Sequence, residues 1–440
     1  MDIRATLEAN HIRFVRILWC DNANVIRAKA FHVGFLEEHQ HHGISLSIAQ
    51  QAIPVMYDAV APESGLGPVG EVWLVPDWST LNVLPYAPGH ARTIGNMMQN
   101  GEPWLLCPRN FLQRVLADAA SEGLQIQAAF ENEFYLLRLT ETGFVPVDET
   151  VFAASFGIDL NRVVIDEIAE ALLNQDIPVE RYYPEAGPGQ HEISIRYAEA
   201  LTAADRQIAF RETVRGVALN HQLRAAFLPK LFEDKAGSGC HLHLSLWQNG
   251  ENLMPDPQGQ LSPIARQFVA GILHHLPALM ALTTPSTNSY RRLQPHFWSG
   301  AFRCWGFDNR EAAIRVPTNP QLPSPTHIEL KTIDASANPY LALGAVIAAG
   351  LDGIRQQRSL ADPMAIDPGY LSDLERQQQG IDRLPTHLGE AIGHLMGDQL
   401  LLDMLGPGLA QAFLAVRKAE WQAMREMTLE AEAKLLWQRY

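Results

Sequence analysis

At 440 residues, with 47% hydrophobic and 19% charged side chains, the chain has the composition of a globular protein of roughly two to three domains. Its 34 Lys and Arg against 49 Asp and Glu give a net charge of −15, which argues against a partner that is gripped through a basic surface, nucleic acid above all. Cys20, Cys107, Cys240 and Cys304 form no CxxC pair, the longest apolar run (341–351) is about half of the ~20 residues a membrane span needs, and Asp2, Arg4, Glu8 and Arg13 interrupt the N-terminal apolar residues, so a cytoplasmic protein without a membrane partner is expected.

In chain order, the apolar runs 13–19 and 25–33, separated by Asp21-Asn22-Ala23-Asn24, predict a hairpin. Residues 71–76 predict a third strand, after which Pro76, Pro85 and Pro88 predict a run of turns that closes a small β-rich domain. From Pro108 the pattern turns helical: Phe111, Leu112, Val115, Leu116 and Ala119 recur at helical spacing, and Gly123 stands where the helix would stop. Further helices are expected over 159–175, 203–223, 263–281, 339–355 and 408–440, and the polar stretch 358–386 is expected to form a surface loop or flap. The chain thus divides into an N-terminal domain, 1–105, and a larger one, 106–440.

Four of the strand-like segments carry acidic or imidazole groups at alternate positions, the spacing that places them on one face of a strand. Glu131 and Glu133 alternate with Phe130, Phe134 and Leu136; Glu192, Ser194 and Arg196 share a face, as do His241, His243 and Ser245, and His327, Glu329 and Lys331. One such strand alone reads as an amphipathic strand wetting its polar face. Four together need another explanation, because Glu is a poor strand former and neighbouring carboxylates repel unless a cation lies between them. With Glu185 just upstream, Glu131, Glu133, Glu192, His241 and Glu329 supply enough oxygen and imidazole donors for two divalent metals, Mg²⁺ or Mn²⁺ by donor type. Residues 288–317 add Arg291, Arg292, Arg303, Arg310 and Arg315 in a chain that has only six lysines, which suggests a grip on phosphate and carboxylate groups.

Six segments in order resemble the glutamine synthetase family: Glu131-Asn-Glu133; Glu185 through Glu192; Leu228-Pro-Lys230 followed by Gly237-Ser-Gly-Cys-His241-Leu-His243; Asn288 through Arg292; Asn309-Arg310 through Pro317; and Ile328-Glu329 followed by Asn338 through Leu341. The resemblance implies an α+β fold, with a β-grasp-like N-terminal domain followed by a catalytic domain on a curved antiparallel sheet. It implies that Glu133, Glu185 and Glu192 hold the metal nearer a glutamate substrate, and that Glu131, His241 and Glu329 hold the one that clamps the phosphates of ATP. Gly237 and Arg292 would bind the amino-acid end of glutamate. Arg310 and Arg315 would stabilise the transferring phosphoryl group, with Lys331, which stands where the family usually has Arg, beside them. His243 and Ser245 would lie along the nucleotide, and members of the family assemble as rings, so a homododecamer is expected.

The departures narrow the chemistry. Glutamine synthetases proper carry a loop Glu that takes a proton from ammonium, and the aligned residue here is Trp298. Their N-terminal Asp-Gly-Ser-Ser segment corresponds to Gly43-Ile-Ser-Leu-Ser47, without a carboxylate. The expected activity is therefore an ATP-dependent glutamate–amine ligase that joins L-glutamate to an organic amine through an indole-walled pocket. A divergent glutamine synthetase using ammonia is the alternative, and a silent relative that only binds glutamate or nucleotide fits less well with six retained ligands.

Overall fold

The computed structural model describes every residue except Met1, Thr142 and Pro323, and its strands fall into two sheets. The first comprises Phe14–Cys20, Ile26–His32, Ile44–Ser47, Glu71–Val83, His90–Gln99 and the short Glu102–Pro103. Phe14–Cys20 lies between Ile26–His32, to which it is antiparallel, and the central His90–Gln99, to which it is parallel, which gives the β-grasp-like arrangement. Its inner face buries Val15, Ile17, Leu46, Leu74 and Ala91.

Pro76 does not end a strand. Glu71–Val83 continues past it because Ile44–Ser47 pairs only with residues 71–74, so beyond Leu74 one edge needs no backbone donor. The following strand, His90–Gln99, went unrecognised in the proline-rich stretch. The Asp21–Asn24 turn is buried. Its carbonyls are bonded from the other domain: Asn338 Nδ2 donates to Asp21 O at 3.0 Å, Arg417 Nη2 to Asn22 O at 2.8 Å and the Tyr440 hydroxyl to Ala23 O at 2.9 Å. These three bonds satisfy backbone carbonyls that burial would otherwise leave without a donor.

The second sheet runs in the order Phe302–Phe307, Ala312–Val316, Ile328–Leu330, Cys240–Gln248, Gln125–Thr140, Gln190–Ile195 and Val179–Pro184. All of these neighbours are antiparallel except the parallel pair Phe302–Phe307 and Ala312–Val316. Helices Pro108–Ser121, Ser155–Leu173, Ala200–Asn220, Pro263–Thr283 and Pro339–Arg355 share the main core with it. Pro339–Arg355 contains the long apolar run and is buried from Pro339 to Gly353, against Pro263–Thr283. Gly271 and Gly353 allow that contact, since a Cβ on Gly353 would lie 2.1 Å from Gln267 O. Among the described residues no single helix is long and apolar enough to cross a membrane.

The expected helix over 408–440 is two helices, Pro407–Met424 and Leu429–Leu436, with Thr428 capping the second through Ala431 N. The apolar C-terminal residues Leu436, Trp437 and Tyr440 are buried in the chain's own core. Phe227 N donates to Tyr440 O at 3.2 Å, so the terminus is fastened at both ends of Tyr440. Tyr440→Ala is expected to cost about 3–5 kcal/mol, the range for truncating a buried aromatic, read as a lower urea midpoint; an unchanged midpoint would show that this seam adds nothing.

Candidate active site

Strand register brings the polar faces together. Glu131 lies opposite His241, Glu133 opposite Glu192, His243 opposite Glu329, and Arg315 opposite Glu329. Phe130, Phe134 and Leu136 on the other face of Gln125–Thr140 are buried in the core, which fixes which side the carboxylates take.

The first group centres on His241. Its Nδ1 is 3.2 Å from Glu131 Oε1 and 3.2 Å from Glu329 Oε1, and one donor atom from each of the three lies within 4.8 Å of the others. Arg315 Nη1 reaches Glu329 Oε2 at 3.0 Å and Lys331 Nζ reaches Oε1 at 3.3 Å. Burial and Lys331 oppose protonation of His241, yet its bonds to the two carboxylates push its pKa up to about 9. Burial likewise opposes ionisation of Glu131 and Glu329. The His241 and His243 hydrogen bonds at Glu131, and Lys331 with His241 at Glu329, hold both well below the ordinary value. A proton on His241 thus occupies the place between two carboxylates that a divalent cation fits.

The carboxylates of the second group accept from neutral donors instead, Glu192 from the Ser194 hydroxyl at 3.0 Å. Glu133 Oε2 accepts from Gly239 N at 2.9 Å and from Gln190 Nε2 at 3.4 Å, and Glu185 Oε2 accepts from Ala186 N at 2.7 Å. Burial, with Glu133 nearby, pushes Glu185 up to about 7; burial, with Glu131 nearby, pushes Glu192 up to about 8. These carboxyls hold protons in the folded chain that the unfolded chain has released. From about pH 6.5 to 8, Glu185, Glu192 and His241 therefore each make the metal-free fold less stable as pH rises. His191 and His327, lowered by burial to about 4, are already neutral in the folded chain there, and act oppositely only at the low end of that window, while the unfolded imidazoles lose their last protons. Added Mg²⁺ or Mn²⁺ replaces the protons, so its gain in melting temperature is expected to be larger at pH 8 than at pH 6.5. Equal gains at both would contradict proton–metal exchange.

The remaining residues surround these groups unevenly. Gly237 is required by close approach, since a Cβ there would meet Arg292 Cγ at 2.6 Å and Pro229 O at 2.7 Å. Arg292 is buried beneath it and donates Nη2 to Thr332 O at 2.6 Å and Ile333 O at 3.1 Å, while its Nε has no partner among the described residues. His243 Nε2 is 3.7 Å from Glu131 Oε2, and its ring lies 5.1 Å from that of His327. The Ser245 hydroxyl, further along the same strand, accepts from Trp247 Nε1 at 2.8 Å. Arg310 stands apart from both carboxylate groups: it is exposed, with its guanidinium 5.6 Å from the Trp298 ring centre. One face of the indole proposed for an amine is therefore covered by the chain's own cation.

Sequence reasoning missed two residues. Gln190 ties the second group to the glycine loop, donating to Gly237 O and to Ser238 Oγ at 3.0 Å each; it sat inside a motif already noted. Glu311 accepts from Trp298 N at 2.7 Å, and only its place beside Arg310 could have marked it.

Comparison with known proteins follows the same outline. The family described as "Glutamine synthetase, catalytic domain" matches residues 105–436, and "Glutamine synthetase N-terminal domain" matches residues 2–104. The chain is 36% identical over 429 residues to the gamma-glutamylpolyamine synthetase GlnA3 of Streptomyces coelicolor, covering 94% of this chain and 91% of that protein. It is 35% identical over 443 residues to type-1 glutamine synthetase 1 of Dictyostelium discoideum, covering 95% and 87%. A solved GmaS–ADP complex superposes with a TM-score of 0.86 at 30% identity over 99% of both chains.

Proposed function

The chain belongs to the glutamine synthetase family, and from that premise we propose that it is an ATP-dependent ligase that joins the γ-carboxylate of L-glutamate to an organic amine, releasing ADP and phosphate. The observation that carries the amine is Trp298, an exposed indole on the loop where ammonia-using members place their proton-accepting Glu. The likeness to a gamma-glutamylpolyamine synthetase and to GmaS supports the same branch.

In this reading Glu131, His241 and Glu329 hold one divalent cation, Mg²⁺ or Mn²⁺, and Glu133, Glu185 and Glu192 hold a second. When bound, these ions neutralise the charge that gathers on the phosphoryl group during in-line transfer. Arg315, already on Glu329 at 3.0 Å, and Lys331 on the same carboxylate add positive charge beside that group. Arg310, on the loop side, is free to swing from the indole toward phosphate. His243 and Ser245 line the strand along which the nucleotide lies. Gly237 leaves room for the amino-acid end of glutamate over Arg292. The γ-carboxylate attacks ATP, and the amine then displaces phosphate from the acyl phosphate.

We take residues 1–105 and 106–440 as the two functional units of a cytoplasmic enzyme that has neither nucleic acid nor membrane as a partner. Assembly into a homododecamer finds its support in an exposed stripe on Ser155–Leu173, where Phe156, Leu160 and Val163 are 66%, 49% and 65% exposed at helical spacing. A stable, active monomer in sedimentation would contradict it.

Product identity tests the ligase reading. With ATP, Mg²⁺, glutamate and an equimolar mixture of ammonia, methylamine, ethanolamine and putrescine, mass spectrometry should find γ-glutamyl amides in excess of glutamine. Glutamine as the sole product would overturn it.

A further inference from the structure

The ligase reading leaves an ammonium ion to be deprotonated with Trp298 in place of the loop acid. Glu311 immediately precedes the strand Ala312–Val316, so it shares the alternation of Ala313 and Arg315. Arg315 meets Glu329 across the sheet, and Lys331 N donates to Ala313 O at 3.0 Å, so the row containing Glu311 faces the same side as the carboxylate groups. The Trp298 loop rests on these strands: a Cβ on Gly300 would lie 2.9 Å from Ala313 Cα and 3.3 Å from Lys331 Cβ.

Glu311 is 5% exposed. Its Oε1 accepts from Trp298 N at 2.7 Å, and its Oε2 is buried without a hydrogen-bond partner among the described residues. A carboxylate oxygen buried without a donor is costly and calls for a reason. The bond to Trp298 also holds an unusual loop, in which His296 (φ 66°) and Trp298 (φ 55°) both take left-handed backbone conformations. From the other side the loop is held by the flap, through His296 Nδ1 at 2.7 Å from Asp367 Oδ2. Asn309 fastens the turn before Glu311 by donating to Met364 O at 2.9 Å and Ile366 O at 3.0 Å.

We propose that Glu311 Oε2 receives the ammonium group of the amine substrate and takes its proton, supplying from the strand the carboxylate that Trp298 displaces from the loop. The proposal rests on the ligase reading. Burial, with Asp367 nearby, raises this carboxyl's hold on a proton, opposed by the Trp298 bond and by the backbone N–H and ring of the neighbouring His296, and the raised hold suits a group that must accept a proton from an amine. The proton passes to Oε2 and the N–H electron pair remains on nitrogen. Nitrogen attacks the γ-carbonyl carbon; the C–N bond forms, the C–O bond to phosphate breaks with its electron pair leaving on phosphate, and the excess proton on nitrogen goes to the departing phosphate. Glu311 then releases its proton to water.

The test compares a protonated amine with one that needs no base. Methylamine is an ammonium ion near neutral pH, whereas hydroxylamine is largely uncharged. Glu311→Gln keeps an oxygen for Trp298 N but cannot take the proton. Its methylamine turnover is expected to fall by about 10²–10⁴-fold, at least ten times more than its hydroxylamine turnover. Equal loss with both amines, or no loss with methylamine, overturns the proposal. Were Glu311→Gln not to fold, as judged by thermal melting, Glu311→Asp carries the same test: its displaced carboxylate should lower methylamine turnover more than hydroxylamine turnover, and equal effects again overturn it. Failure of the ligase reading looks different, as glutamine formed in preference to γ-glutamylmethylamide by the unaltered protein when ammonia and methylamine compete.

Discussion

Glu329→Gln is expected to abolish turnover while leaving the fold in place. The side chain keeps its size and its acceptor oxygen, but it loses the charge that draws Arg315, Lys331 and His241 to one point, at 3.0, 3.3 and 3.2 Å. Without that charge the triad with Glu131 and His241 has one carboxylate, and a cation there would be held far more weakly. Metal stabilisation of the transferring phosphoryl group is worth several kcal/mol, so the rate should fall by about a thousand-fold or more. Titration of activity with Mn²⁺ checks the cause: the variant should need much more metal for whatever activity remains. Wild-type turnover with an unchanged metal requirement would remove Glu329 from the metal site.

The second large effect is a switch of substrate. Trp298→Glu restores a carboxylate to the exposed loop and frees Arg310 from the indole 5.6 Å away. A positioned carboxylate typically contributes ~10²–10⁴-fold to proton removal, so turnover of ammonia relative to the best organic amine should rise by that order. The organic amine should at the same time lose apolar and cation–π contact of roughly 0.5–2 kcal/mol, seen as a higher KM. If the ratio does not move, Trp298 is packing and the loop does not choose the amine.

The candidate site was legible because its logic is that of strands. Alternation alone placed Glu131, Glu133, His241, His243 and Glu329 on polar faces, and register made neighbours of residues more than a hundred positions apart, as with Glu131 and His241. What alternation does not contain is the loop geometry. Glu311 was invisible because its partner is a backbone N–H in a loop where His296 and Trp298, and not Gly300 alone, are left-handed. The fold was read less well where burial overrode local signals. The Asp21–Asn24 turn has the residues of an ordinary turn but lies under Arg417 and Tyr440, and Pro76 sits in a strand because the neighbouring strand reaches only to Ile44, opposite Leu74. The C-terminal apolar residues Leu436, Trp437 and Tyr440 close the chain's own core, a long-range contact that local composition does not encode.

The choice of nucleophile is the central claim, and steady-state phosphate release tests it most directly. With ATP, Mg²⁺ and glutamate fixed, kcat/KM is measured for ammonia and for methylamine, ethanolamine, putrescine, spermidine and aniline. At least one organic amine should exceed ammonia by an order of magnitude or more. Ammonia giving the highest kcat/KM of the whole panel would contradict the account and make the protein a glutamine synthetase with an altered loop.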